Sequence, residues 1–154
     1  MSFETLLEKW EKEDATSKLG MPSEIEGLFA LNRTQLDTLS GKDLDRAIYI
    51  ASQYFIYISN RCGIAEGYKN YIEDLYVDKL DEEASKIDIK AHKTLKERES
   101  IALQNNQDLK ALRAKLETAK LRYSKIKLLP EAAREMLHTF KKIMERRLKS
   151  NESR

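Results

Sequence analysis

Five basic residues recur at intervals of seven along the last third of the chain. Each follows directly after an apolar residue of a heptad pattern, and the five are Arg113, Lys120, Lys127, Arg134 and Lys141. Because seven residues make two helical turns, a helix would place these charges on one side, about 10 Å apart. Such a row can follow a phosphate backbone without reading its sequence, with an affinity that falls as salt rises. We call these residues the basic stripe and treat them as candidate nucleic-acid-binding residues.

The basic stripe has an alternative interpretation as one half of a set of ion pairs within the fold. Positions that flank a helix seam often carry Lys or Arg that pair with acids on a facing helix. The preceding part of the chain offers acids at matching intervals, namely Asp74, Asp81 and Asp88, and again Glu66 and Glu73. The spacing alone leaves both interpretations open.

Charge is distributed unevenly over the 154 residues. The formal net charge is +2, yet residues 109–154 carry fourteen Lys/Arg against five Asp/Glu, and residues 1–45 carry five against ten. A basic final third on a nearly neutral chain is typical of an arm that binds a polyanion. Alternatively, the basic residues 109–154 would balance the charge of the acidic residues 1–45 within the fold.

Residues 43–80 predict one long amphipathic helix with two adjacent apolar faces. At about 1.5 Å per residue it would be about 55–60 Å long, which suits one arm of a helical hairpin better than a compact core. One face would pack on the return arm and the other would serve self-association. The second face, which we call the tyrosine seam, consists of Tyr54, Tyr57, Ile64, Tyr68, Tyr71 and Leu75, and is the predicted oligomer interface. Tyrosines beside basic residues also stack on bases in single-strand binders, but at helical spacing packing is the more common role.

Local signals predict where the helices begin and end. Ser40 with Asp43 would cap the long helix, and Thr94 with Glu97 would restart a helix after a break. Asn105 would cap the return arm, and Pro130 would impose a kink or a fresh start. We therefore predict an all-α fold made of short N-terminal helices in residues 1–40 and an oligomeric hairpin in residues 41–154. Its antiparallel arms would lie near residues 42–90 and 106–148.

Several kinds of chemistry find no support in the sequence. Cys62 is the sole cysteine and fits a small core residue in a reducing compartment, while His92 and His138 lack companions at metal-ligand spacing. No nucleophile set or phosphate loop occurs, so neither an enzyme nor a cofactor is expected. The most apolar run, residues 47–58, is too short to span a bilayer, and Met1–Asp14 lacks the apolar block of a signal peptide. A cytoplasmic protein is expected.

The order of these parts resembles the tailed-phage recombination mediators of the UvsY type. The similarity begins with the acidic segment around Trp10, continues in the aromatic-rich helix from Ala51 to Tyr71, and ends in a helix from Asp108 to Arg147. Residues 44–149 follow the family in outline, while residues 22–40 and Pro130 depart from it. The resemblance implies a helical, ring-forming protein that binds single-stranded DNA and helps to load a RecA-like recombinase. If the chain is phage-encoded, the expected location is the host cytoplasm. The competing hypothesis is a structural or adaptor coiled-coil protein without a nucleic-acid role.

Overall fold

The computed structural model describes residues 23–152, and all regular structure in that range is α-helical. Its helices are α1 (Ser23–Ala30), α2 (Arg33–Thr38), α3 (Gly41–Ser85), α4 (Leu95–Asn105), α5 (Gln107–Ile126) and α6 (Leu129–Glu152). The predicted all-α class is thus confirmed for these residues, as is the long helix, which runs for 45 residues. Residues 1–22 of the predicted N-terminal helical segment, including Trp10, lie outside the described range. Among the described helices, none is both long and apolar enough to cross a membrane.

Two predicted helix starts are confirmed by their hydrogen bonds. The Ser40 hydroxyl accepts the Asp43 backbone N–H at 3.1 Å and donates to the Asp43 carboxylate at 2.6 Å, and α3 begins at the next residue. Thr94 and Glu97 form a reciprocal capping box at the start of α4. Such caps satisfy backbone N–H groups that have no partner within the first helical turn.

The predicted arm over residues 42–90 ends early, at Ser85. In the segment that follows, the Asp88 carboxylate accepts the Lys90 backbone N–H at 2.9 Å. An aspartate that bonds the backbone two residues ahead favours a turn over a continuing helix. The chain therefore turns before α4.

The return arm predicted over residues 106–148 consists of two helices, which is the fresh start predicted as one alternative at Pro130. Asn106, and not Asn105, caps α5, because its side chain accepts the backbone N–H groups of Asp108 and Leu109 at 2.9 and 3.2 Å. Asn105 remains helical and completes α4. The arm is then interrupted, and α6 restarts at Leu129 with Pro130 as its second residue, as predicted. Proline is tolerated there because the first helical residues need no N–H donor.

The described residues form two compact units, one of residues 23–60 with 128–152 and one of residues 61–127. We call them unit 1 and unit 2, and α3 contributes to both. The division of the chain at residue 40 remains a prediction about its organisation.

Unit 1 has a core of two small clusters. In the first, Leu44, Ala47 and Ala51 of α3 are buried with Phe140 and Ile143 of α6. In the second, Ile25 is buried with Tyr54, Ile58 and Ala133. The guanidinium of Arg147 adds hydrogen bonds of 2.6 and 2.8 Å to the carbonyl oxygens of Leu39 and Asp37, which hold the end of α2 against α6.

Unit 2 buries mainly small side chains. Its buried apolar residues are Ala65, Ile72, Ala84, Ala102, Leu109, Leu116 and Ala119. Alanines contribute little apolar area each, so Ile72, Leu109 and Leu116 supply most of the apolar burial in unit 2.

Candidate nucleic-acid interface

Helix α5 carries the densest positive charge of unit 2. Leu109, Leu116 and Ala119 form its buried face, and most of its basic side chains lie on the flanks and the outer face. Between residues 107 and 127 there are seven Lys/Arg against two Asp/Glu, a net charge of +5. A helix of this charge attracts phosphate groups along its exposed side.

Unit 2 contains three members of the basic stripe, and their surroundings differ. The Lys120 ammonium lies 3.1 Å from a carboxylate oxygen of Glu73, with both side chains about 40% exposed. Arg113 and Lys127 are exposed, and neither forms an ion pair with any residue in the described range. The ion-pair interpretation therefore applies to Lys120 through Glu73, whereas Asp74, Asp81 and Asp88 make no ion pair with the stripe in that range.

Unit 1 contains the other two members of the stripe, Arg134 and Lys141, both exposed on α6. Arg134 pairs with Glu131 one turn earlier in the same helix, and this hydrogen bond raises the pKa of the guanidinium. Lys141 has no ion-pair partner among residues 23–152. Helix α6 also carries acids on its exposed side, so its charge is more mixed than that of α5.

Tyr123 joins α5 to α3 within unit 2. Its hydroxyl donates to the Glu66 carboxylate at 3.1 Å, and the Lys69 ammonium lies 5.4 Å from the centre of its ring. The hydrogen bond to Glu66 raises the pKa of Tyr123. Near this contact, burial and then the charge of Glu66 raise the pKa of the Cys62 thiol. These contacts lie beside the buried face of α5 and agree with the side of the helix that it turns toward α3.

The heptad count missed a second basic row on α5. Lys115 and Arg122 are also seven apart, but they flank the opposite side of the buried face. Lys115 is exposed and Arg122 is half-buried, and desolvation lowers the pKa of the Arg122 guanidinium. The same spacing rule would have found this row if it had been applied to both flanks of the seam.

The residues of the tyrosine seam differ in exposure. Tyr54 is buried in the core of unit 1, where its ring meets that of Phe29 edge to face with 6.4 Å between centroids. Tyr57, in the same unit, is 39% exposed. In unit 2, Ile64 and Tyr68 are half-buried, whereas Tyr71 is 57% and Leu75 39% exposed.

Gly67 lies beside the exposed residues of the seam in unit 2. A Cβ atom built on it would meet no heavy atom within 4 Å. A second helix could therefore approach the backbone closely at this position. The predicted self-association would use only the exposed residues of the tyrosine seam, since Tyr54 already packs within unit 1.

No protein-family model, curated protein or solved structure matches this chain. Within the part of the chain that the structure describes, no three or more His, Cys, Asp or Glu residues are grouped so that they could hold a metal ion.

Proposed function

We propose that this protein binds single-stranded DNA through α5 and assists a RecA-like recombinase as an accessory or mediator protein. The observation that carries the proposal is the net charge of +5 over residues 107–127, with Arg113 and Lys127 exposed and without ion-pair partners in the described range. The recombinase as partner follows from the resemblance to the UvsY-type mediators. The role proposed is one of binding and not of catalysis.

The neighbourhood of α5 supports a single strand over a duplex. Single-strand binders combine a positive surface that tracks the backbone with aromatic side chains that stack on exposed bases. In unit 2, α3 brings the half-buried Tyr68 and the exposed Tyr71 into the same unit as α5.

We also infer that α3 and α5 run antiparallel within unit 2. Glu66 contacts Tyr123, and Glu73, further along α3, contacts the earlier residue Lys120. An advance along α3 thus corresponds to a step back along α5. Self-association through Tyr57, Tyr71 and Leu75 completes the proposal, since apolar residues at this spacing form a coiled-coil face.

A structural or adaptor coiled-coil protein is the second candidate. The observation that favours it is the pairing of Lys120 with Glu73, because interhelical ion pairs of this kind serve orientation and solubility. In such a protein the exposed cations of α5 would bind no nucleic acid.

Reversal of Arg113 and Lys127 to Glu tests the proposal. Both residues are exposed and outside ion pairs in the described range, so the fold should be retained. Binding to fluorescent oligo-dT should weaken, and the slope of log affinity against log salt should become shallower by about 0.7 for each lost phosphate contact.

The matched control reverses Lys90 and Lys93, which are exposed in the segment between α3 and α4 of the same unit. This variant changes the net charge by the same amount. Because its two residues lie outside α5, it should weaken binding clearly less than reversal of Arg113 and Lys127. Equal losses in the two variants would show that only the total charge matters, and would contradict α5 as the interface.

A further inference from the structure

A groove in unit 1 lies between α2 and α6. It is lined by one face of α6 and by the end of α2, namely by Thr139, Lys142, Ile143 and Arg146 with Leu36 and Asp37. Its volume is about 370 Å³, within the range of about 300–1,000 Å³ that is typical of pockets for organic groups. The α2 side of the groove is held in place, because the Arg147 guanidinium donates to the carbonyl oxygens of Leu39 and Asp37.

The groove has an apolar floor and a charged rim. Ile143 is buried and Leu36 is half-buried, and both belong to the first core cluster of unit 1 or pack against it. Lys142 and Arg146 are exposed, lie one turn apart on α6, and form no ion pair with any residue in the described range. The exposed carboxylate of Asp37 lies on the α2 side. These three parts suit an apolar ring that carries one hydrogen-bond donor and has acidic neighbours.

Residues 3–14, which lie outside the described range, have the complementary composition. They carry five Asp/Glu against two Lys, a net charge of −3, whereas residues 138–149 of α6 carry five Lys/Arg against one Glu, a net charge of +4. Trp10 is the sole tryptophan and has the acids Glu8 and Glu11 close to it in the chain. Its indole combines a large apolar surface with one N–H donor.

The length of chain before α1 is sufficient for Trp10 to reach the groove. Helix α1 begins at Ser23, and its Leu28 packs on the same core cluster as Leu36 of α2. Residues 11–22 span up to about 40 Å when extended. Helix α6 has 24 residues, which corresponds to a length of about 36 Å. The connection is thus longer than the helix that carries the groove, so docking within one chain is sterically allowed.

We propose that residues 3–14 dock on this groove of the same chain, with the Trp10 indole against Leu36 and Ile143. The acids beside Trp10 pair with Lys142 and Arg146, and the Asp37 carboxylate accepts the indole N–H. The cations of the rim also attract the face of the ring. This contact is independent of the proposed function, because it involves α6 and requires no nucleic acid.

Trp10 itself is the probe for this contact, since no other tryptophan contributes to the fluorescence of the chain. In the native protein its emission should lie at shorter wavelength than in the urea-unfolded chain, and the neutral quencher acrylamide should quench it less. Lys142→Glu should remove part of both differences, and Lys142→Glu with Arg146→Glu should remove most of them. The matched control is Lys141→Glu, which changes the charge of the same helix one residue away and outside the groove. It should leave both differences intact.

A charge swap tests whether the acids and the cations meet. Glu8→Lys with Glu11→Lys should expose Trp10 as the reversals on α6 do, because like charges would then face each other. The combination with Lys142→Glu and Arg146→Glu should restore the emission at shorter wavelength. Circular dichroism and thermal melting monitor the fold of every variant, which exposed charges should leave nearly unchanged.

Three results would overturn the proposal. Native emission equal to that of the unfolded chain would show that Trp10 does not dock. Emission at shorter wavelength that survives both reversals on α6, or that the charge swap does not restore, would place Trp10 elsewhere. Emission that moves to longer wavelength on dilution, together with dissociation in sedimentation, would assign the docked segment to a second copy. None of these measurements contains DNA, so their failure leaves the proposed function untouched.

Discussion

Lys120 differs from its neighbours in the basic stripe because it has an acidic partner. Its ammonium lies 3.1 Å from Glu73, whereas Arg113 and Lys127 have no ion pair in the described range. Partly exposed pairs of this kind contribute below about 1 kcal/mol, since water and salt screen them. Lys120 therefore serves the packing of α5, and its neighbours have charge available for a ligand.

Charge reversal at Lys120 should lower the free energy of unfolding by up to about 1 kcal/mol, because it replaces an attraction to Glu73 with a repulsion. Adding Glu73→Lys should restore most of the loss. Urea unfolding followed by circular dichroism measures both variants. A double variant no more stable than Lys120→Glu alone would contradict a pairing between these two residues.

Cys62 offers a chemical probe of the same part of α3. Burial and the Glu66 carboxylate raise the pKa of its thiol, so a smaller fraction of Cys62 is in the reactive thiolate form at a given pH. The rate of its reaction with Ellman's reagent should rise with pH at a higher apparent pKa in the native chain than in the urea-unfolded chain.

Glu66→Gln should lower this apparent pKa only in part, since burial is the larger cause. Glu82→Gln, an exposed acid further along α3, serves as the control. Identical pH profiles for the native and the unfolded chain would argue against the assigned surroundings of the thiol.

At the level of the elements, some helix boundaries are set by residues within one turn, whereas others depend on packing against the rest of the fold. The starts at Ser40, Thr94 and Pro130 were predictable, because each depends on residues within one turn. The cap of α5 was placed one residue early. Asn105 and Asn106 carry the same side chain, so the sequence does not distinguish which of them caps α5. That depends on where α4 ends, and packing decides where α4 ends. The end of α3 at Ser85 was missed because the charged residues beyond Leu80 are compatible with either a solvated helix or a turn.

Asn106→Ala should lower the free energy of unfolding by about 1 kcal/mol, because the backbone N–H groups of Asp108 and Leu109 lose their acceptor. The neighbouring substitution Asn105→Ala is the matched control and should have little effect, since alanine suits the last residue of α4. Chemical denaturation of both variants measures the difference. An equal loss at the two positions would contradict the assigned cap.

For the molecule as a whole, the sequence predicted the fold class and the charged surface better than the contacts of individual residues. Periodicity located the apolar and basic faces of α3 and α5, because side chains on one helix follow its geometry. It could not show that Tyr54 packs within unit 1 or that Lys120 pairs with Glu73, since these contacts depend on neighbouring helices.

The exposed apolar residues of α3 are expected to cause self-association. Within unit 2, Tyr71 and Leu75 are 57% and 39% exposed and lie four residues apart on α3, so they leave an apolar surface open to a partner. In analytical ultracentrifugation the wild type should form oligomers, and Tyr71→Glu with Leu75→Glu should dissociate them.

The control for this dissociation is Leu121→Glu with Leu128→Glu, at two exposed leucines outside the tyrosine seam. It should leave the oligomer intact. A wild type that sediments as a monomer at micromolar concentration would contradict the predicted assembly.

The affinity of the unmodified protein for oligo-dT over a series of salt concentrations tests the central claim most directly. If α5 is a phosphate-binding surface, binding should be readily measured at about 50 mM salt and fall steadily as salt rises. With Arg113 and Lys127 both engaged, the log–log slope should be about −1.4 or steeper, because each phosphate contact on a single strand contributes about −0.7. No measurable binding at the lowest salt, or binding that does not change with salt, would contradict the account.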